Sequence, residues 1–210
     1  MKTLLALFFS LLLPLAMPLH AQAPAKEQSP EDMVRQITTD VLDAIKQDKS
    51  LQAGDKQKAL ALAEQKVLPH LDFTEMTRLA AGRTWNTATP EQRVRLVAAF
   101  RAMLVRTYAN AIDVYRGQTM MVEPARVPTT ATETTVRNRY VSPGKQPTPV
   151  DYAMRKTSGE WKIYDIVVDG ISLVLTYRSQ FEDSARNSGV EGLIKQLQQK
   201  TQPVAIGKGA

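Results

Sequence analysis

Val150-Asp151-Tyr152-Ala153-Met154-Arg155-Lys156-Thr157-Ser158-Gly159-Glu160-Trp161-Lys162-Ile163-Tyr164-Asp165-Ile166-Val167-Val168 is the stretch on which the fold turns. Val150, Tyr152 and Met154 alternate with Asp151, Ala153 and Arg155, the period of a strand with one apolar face. Thr157-Ser158-Gly159-Glu160 closes a hairpin, and Trp161 to Val168 forms the partner strand. In that partner both parities are apolar, Trp161 and Ile163 against Tyr164, Ile166 and Val168, which predicts cover on both faces. Upstream, Met120-Met121-Val122 and Thr134 to Val141 read as further strands, with a turn at Ser142-Pro143-Gly144. The expectation is an antiparallel sheet of about four strands.

On either side of this region the period becomes helical. Thr89-Pro90-Glu91-Gln92 opens a long helix, and at about 100° per residue Val97, Phe100, Leu104, Tyr108, Ala111 and Tyr115 share one stripe. Arg95, Arg106 and Asp113 fall opposite, and the helix should end near Gly117. Ser29-Pro30-Glu31-Asp32 starts the first helix, in which Val34, Ile37, Val41 and Ile45 recur. Leu51 to Gly54 breaks the pattern. Asp55 then opens a helix with Leu60, Ala63 and Val67 inward, stopped by Pro69, and Asp72-Phe73-Thr74-Glu75 begins a short one that ends at Gly82. After Gly170, Ser172 caps a helix aligned on Leu173, Tyr177 and Phe181, and a last helix carries Val190, Leu193, Ile194 and Leu197. Helices, strands, then helices define an α+β layer of sheet backed by helices. There is no internal repeat, and the expected organisation is one domain over 24–202 with a disordered tail over 203–210.

The 210 residues are 43% hydrophobic, enough for a sizeable core and too much for a disordered chain. Cysteine is absent, which excludes a disulfide scaffold, a zinc ribbon, a thiol enzyme and a lipid-anchored lipoprotein. The first residues read as an export signal: Lys2, an apolar run from Leu4 to Leu13 broken only by Ser10, and the small-x-small site Ala21-Gln22-Ala23. That run falls short of the roughly 20 residues that span a bilayer. Cleavage near Ala23 leaves a soluble exported chain, and export without cysteine fits a bacterial periplasm.

Cleavage also removes His20, leaving His70 as the single histidine. A His-rich metal site is impossible, and a nucleophilic triad would have to be built on His70. Asp165 and Asp169 beside an apolar strand are candidate bases, or else a cap and a turn residue. No Gly-x-Ser-x-Gly and no Gly-rich phosphate loop occurs. The 27 basic residues exceed the 21 acidic ones, but they are scattered, with no aromatic–basic platform for nucleic acid. Such a surface suits anionic lipid head groups or acidic partner proteins, or simply solubility. The strands and the long helix supply enough apolar side chains either to fill a core or to wall a cavity.

Two segments carry a family resemblance. The first is Gly82, Trp85 and Thr89-Pro90-Glu91-Gln92-Arg93, followed by Phe100-Arg101, Leu104 and Thr107-Tyr108-Ala109. The second is Trp161-Lys162-Ile163-Tyr164-Asp165, then Asp169-Gly170-Ile171-Ser172-Leu173 and Tyr177-Arg178-Ser179-Gln180-Phe181. In order and spacing, from about Asp32 to Lys200, the chain resembles the MlaC or toluene-tolerance family of periplasmic phospholipid-binding proteins, with Thr176 where the family pattern has asparagine. The resemblance implies a strongly bent antiparallel sheet forming a cone with an apolar cavity. It implies a phospholipid carrier working between an outer-membrane MlaA–porin complex and an inner-membrane MlaFEDB transporter. Such a carrier acts as a monomer without cofactor, covalent chemistry or nucleic acid. On this reading Leu104, Tyr108, Tyr140, Val150, Tyr152, Met154, Ile166, Val168, Ile171 and Leu173 contact the acyl chains. Gly170-Ile171 sits at the mouth, and Arg137, Arg139 and Arg155 are candidates for the phosphate at the rim. Two alternatives stay open: an enzyme on a cone fold similar to ketosteroid isomerase, using Asp165 with a tyrosine donor, and a carrier of lipoproteins or hydrophobic polypeptides.

Overall fold

Capping chemistry sets where the helices of the chain begin, in a computed structural model that describes residues 28–108, 119–124 and 127–201. Ser29 Oγ accepts from the Asp32 amide at 3.0 Å and starts α1 (Pro30–Gln47). Asp48 caps the one-turn α2 (Lys49–Gln52), Asp55 caps α3 (Lys56–Lys66), and Asp72 caps α4 (Phe73–Ala81). A 3₁₀ turn over Leu68–His70 carries Pro69 between α3 and α4. Gly82, at φ +54°, ends α4 and leads into α5 (Arg83–Thr87), a short helix the sequence pattern did not reveal. Thr89 and Gln92 cap α6 (Pro90–Tyr108) reciprocally: the Gln92 amide donates to Thr89 Oγ1 and the Thr89 amide to Gln92 Oε1.

The strands are β1 (Thr119–Val122), β2 (Glu133–Val136), β3 (Asn138–Val141), β4 (Thr148–Thr157), β5 (Glu160–Val168) and β6 (Ile171–Ser172). They form one antiparallel sheet in the order β1-β3-β4-β5-β6, with β2 also on β4. Six strands replace the expected four for two reasons. The stretch read as one strand is split at Arg137, so β2 and β3 lie end to end along one edge of β4. A two-residue turn at Asp169 and Gly170, with φ +51° and +79°, adds β6 as a short hairpin arm. The path stays open from edge β1 to edge β6, so the sheet is uncurled and does not close on itself, and helices back it as expected.

Ser172 therefore ends a strand instead of opening a helix. Its Oγ accepts from the Leu175 amide at 3.0 Å, where a 3₁₀ turn over Leu175–Tyr177 begins, after which α7 (Arg178–Thr201) follows. Its two halves, expected as separate helices, meet at the non-helical Gly189.

One register shift decides which residues face which layer. Ala153 pairs with Asp165 but Met154 pairs with Ile163, leaving Tyr164 as an extra residue in β5. The extra residue reverses parity, so Trp161, Ile163, Ile166 and Val168 all fall on the face shared by Lys156, Met154, Tyr152 and Val150. The two apolar parities of β5 thus serve one face, while the other face is covered as well: it carries the buried Asp165, and Arg155 beside it on β4 pairs with Glu75 of α4. α1 packs on the apolar face, setting Met33, Val34 and Ile37 against Val136, Met154, Trp161 and Ile163.

The helical layer has its own core. Met76 and Ala80 of α4, Leu96, Phe100, Met103 and Leu104 of α6, and Phe181, Leu193 and Leu197 of α7 are buried together. Phe100 stacks edge-to-face on Tyr177 and Phe181 at 5.3 and 5.0 Å. The buried stripe of α6 runs through Leu96, Ala99, Phe100, Met103 and Leu104; the expected Phe100 and Leu104 are in it, and it widens to Leu96, Ala99 and Met103 because α4 and α7 both pack on it, while Tyr108 is left exposed. In α3 the buried residues are Ala59 and Leu62 rather than Leu60 and Ala63, facing Ile45 and Leu51. Ala111, Asp113, Tyr115 and Gly117, the export signal and the tail over 203–210 lie outside the described residues.

Sheet and helical layer join along β5. The Asp72 amide donates to the Ile163 carbonyl at 2.8 Å, and Thr157 Oγ1 to Asp72 at 3.0 Å. The buried carboxylate of Glu75 takes Arg78 from its own helix at 2.5 and 2.7 Å and Arg155 from β4 at 2.9 Å. Arg78 chiefly, then Arg155, holds Glu75 below the usual carboxylate range against the opposing effect of burial. This stabilisation is complete above the unfolded-chain pKa of about 4.3 and is lost as pH falls through the lower folded value. Urea unfolding measured from about pH 7 down to about pH 3 should show this acid-labile component, and Glu75→Gln should lower stability at neutral pH while flattening the acid limb.

Candidate functional site

The C-terminal half of α1 rises off the sheet and leaves a cleft of about 220 Å³ between helix and strands. Ile37, Val41 and Ile45 form the helical wall, and Met120, Tyr140 and Tyr152 form the floor. Thr38, Leu42, Val67 and Thr119 complete the lining. Register explains the floor: Met120 pairs with Tyr140, Tyr140 with Thr148, and Tyr152 lies two pairs beyond Val150 on the same face. The helical wall follows from the 3.6-residue period, which stacks positions 37, 41 and 45 on one face.

The cleft is almost free of polarity. Thr38 Oγ1 and Tyr152 OH both point at the Met120 sulfur, at 3.4 and 3.8 Å, a weak acceptor. Burial pushes the Tyr152 phenol up to about 12, so it stays neutral through the physiological range. Beside the cleft, Lys66 of α3 pairs with Asp40 of α1 at 3.1 Å, holding the lifted helix to its neighbour. Such a wall suits hydrocarbon, and among the described residues that line it there is no carboxylate, histidine or cation. Among the described residues no three His, Cys, Asp or Glu side chains converge as a metal site.

Of the residues predicted to contact acyl chains, Tyr140 and Tyr152 line the cleft. Val150, its register partner Val168 (41% exposed) and Ile171 (63% exposed, paired with Val168) continue the same face to the open end of the sheet. Met154 and Ile166 lie under the N-terminal half of α1, in the packed core. Leu104 is in the helical core and Leu173 packs against it. Tyr108 is exposed, its hydroxyl 3.5 Å from that of Tyr177. The α1 wall was absent from the predicted set. Its signal was the Val34-Ile37-Val41-Ile45 period, which cannot distinguish a side chain that meets a core from one that meets a cleft.

The catalytic candidates sit elsewhere. Asp165 pairs with Ala153 and so faces away from Tyr152. Its buried carboxylate accepts from the Ile166 amide at 2.8 Å, the Val174 amide at 3.1 Å and Ser172 Oγ, fastening β6 and the following turn to β5. Asp169 forms the turn with Gly170. His70 is half-buried, and burial first, then Lys162, lowers its pKa, so the ring is predominantly neutral at neutral pH. Arg139 pairs with Glu123 at 2.7 Å and Arg155 with Glu75, and both lie on the face opposite Tyr140 and Tyr152. Arg137 is exposed at the break between β2 and β3.

An open α+β sheet with one helix lifted from it over an apolar cleft is the architecture of a binding protein for hydrophobic molecules. The family model described as MlaC protein matches residues 35–199, and the chain belongs to that family. The toluene tolerance protein ttg2D of Pseudomonas putida is 29% identical over 164 residues, covering 77% of this chain and 75% of its own length. The intermembrane phospholipid transport system binding protein MlaC of Haemophilus influenzae is 23% identical over 186 residues, covering 87% of each. The solved structure of a phospholipid-binding protein from Ralstonia solanacearum, in complex with a phospholipid, is 37% identical. It superposes with a TM-score of 0.73 over 81% of this chain and 96% of its own. No helix among the described residues is long and apolar enough to cross a membrane.

Replacing Asp165 with Ala should strand the Ile166 and Val174 amides and Ser172. A loss of about 1–3 kcal/mol per donor left dry is expected, read from urea unfolding, together with faster hydrogen exchange at the Val174 amide.

Proposed function

We propose that this chain is a periplasmic phospholipid carrier which holds acyl chains in the cleft between α1 and the sheet. It moves lipid between an outer-membrane MlaA–porin complex and an inner-membrane MlaFEDB transporter, as a monomer of one domain released by cleavage near Ala23. The phospholipid is cargo, and no cofactor enters the cycle. The observation that carries this reading is the nearly uncharged cleft on the sheet face, in a family member whose Ralstonia relative was solved with a phospholipid.

The energetics of such cargo set the mechanism. Two acyl chains carry on the order of 30 methylenes, each contributing about 0.8 kcal/mol of transfer from water. The gross total of about 24 kcal/mol exceeds the roughly 18–21 kcal/mol at which non-covalent affinities saturate. Free lipid in water is therefore no intermediate, and loading and unloading are exchanges between apolar sites, made while the carrier is docked. The 220 Å³ cleft is smaller than the about 300–1,000 Å³ of pockets that enclose drug-sized ligands. Two chains must part its walls. α1 meets the sheet through apolar side chains and the weak Thr38–Met120 contact, while Asp40–Lys66 ties it to α3. Separation of α1 from the sheet is the opening that breaks no backbone ladder.

The apolar face continuing through Val150, Val168 and Ile171 extends the track toward solvent, where the head group stays hydrated. Asp165, turned away and fully engaged, supports the carrier reading over the enzyme reading.

Detergent-free purification from a bacterial periplasm and lipid mass spectrometry should recover about one phospholipid per chain, since free lipid cannot compete in water. A chain that is empty as purified and after incubation with liposomes overturns the proposal, and bound peptide in place of lipid would favour the polypeptide carrier. Val41→Glu and Ile171→Glu should each cut lipid content by about tenfold or more, because a carboxylate against hydrocarbon costs several kcal/mol and each 1.4 kcal/mol is about tenfold, with unchanged circular dichroism. Wild-type lipid content in Ile171→Glu alone would confine the track to the cleft.

A further inference from the structure

A second concave surface lies on the helical layer, away from the cleft. α4 and α5 meet α7 along two adjoining depressions of about 410 and 290 Å³, which share Arg83 and Glu182 in their linings. Arg78 and Arg178 line one, Arg186 the other, and Glu182 is the one carboxylate in either lining. The guanidinium of Arg178 is pinned by two bonds to the Leu79 carbonyl, at 3.1 and 2.7 Å. Glu75 fixes that of Arg78. Arg186 pairs with Asp183 across an exposed 3.4 Å contact, and among the described residues Arg83 has no ion pair. Thr84, Thr87 and Asn86 add neutral hydrogen-bonding groups between the arginines. Gly82 brings the chain close to α7: a Cβ there would stand 3.0 Å from Glu182 Oε1.

We propose that this groove is a docking site for an acidic peptide segment of a partner protein. Arginines spread along a trough match several carboxylates in series rather than one phosphate, and their planar forks suit carboxylates. A membrane surface is flat and rewards inserted apolar side chains. The exposed large apolar residues, Val94, Tyr108, Met121, Val168, Ile171 and Leu175, are all outside the groove. The chain's net charge of +6 steers an acidic partner toward it. The purpose of the site rests on the carrier reading, because a lipid that cannot cross water needs its carrier held during exchange. A groove on the helical layer lets a partner grip the carrier without covering the cleft.

The test uses the protein purified from periplasm, with fluorescein-labelled poly-glutamate as probe and fluorescence anisotropy as readout. Arg83→Glu with Arg186→Glu should weaken binding about tenfold and leave lipid content and circular dichroism unchanged. Lys49→Glu with Lys56→Glu, the same change of charge on exposed lysines of α2 and α3, should leave probe binding near wild type. If the first pair fails to fold, Arg83→Ala with Arg186→Ala should still weaken the probe measurably. Equal weakening by both charge reversals, or none by the groove pair, overturns the proposal. So does loss of binding to phosphatidylglycerol vesicles in the groove variant with poly-glutamate binding intact. Lipid measured on the same samples keeps the two readings apart: empty wild-type protein that still binds the probe through the groove refutes the carrier and not the docking site.

Discussion

Tyr164 is one residue more than β5 needs to match β4, and most of the architecture depends on that surplus. Without it, Ile166 and Val168 would stand on the opposite face from Trp161 and Ile163, and neither face would be apolar over its whole length. With it, one face runs unbroken from Trp161 to Val168, and β4 lays Met154, Tyr152 and Val150 beside it. α1 buries half of that face as core and overhangs the rest as a cleft. The same shift turns Asp165 away from the cleft, where it takes the Val174 amide and fixes the path into α7.

The molecule divides its hydrophobic material between two tasks. The helical layer packs Tyr177 and Phe181 edge-to-face on Phe100 and closes around them as a core. The sheet face under α1 is closed at the N-terminal end of the helix and open at the other, so one surface serves both stability and binding. Glu75, Arg155, Asp72 and Ile163 bind the two layers along β4 and β5, while α1 meets the sheet through apolar side chains and the weak Thr38–Met120 contact.

Polar groups are distributed to match. Tyr152 and Thr38 end on a methionine sulfur, so the cleft offers cargo no strong competing donor. The arginines facing away from the cleft on β3 and β4 are spent on Glu123 and Glu75. Those on α4, α5 and α7 gather around one groove. On the proposed reading, cargo and partner chemistry fall to different layers.

Much of this was legible in the sequence. Helix starts at Ser29, Asp55, Asp72 and Thr89 were readable because a cap acts within three residues of itself. The β4–β5 hairpin was readable because alternation and a Ser158-Gly159 turn are local, and the α+β order follows from both. The bulge at Tyr164, the split at Arg137 and the exposure of Tyr108 were not, since each is settled by a neighbouring strand or helix remote in sequence. The site divides the same way. Tyr140 and Tyr152 could be picked from strand parity, whereas Val41 carries the same pattern as the buried Val34. Composition and period determine that a residue will leave water. Only the tertiary structure decides whether it then meets protein or an empty space, because that depends on how far one packed element stands from another.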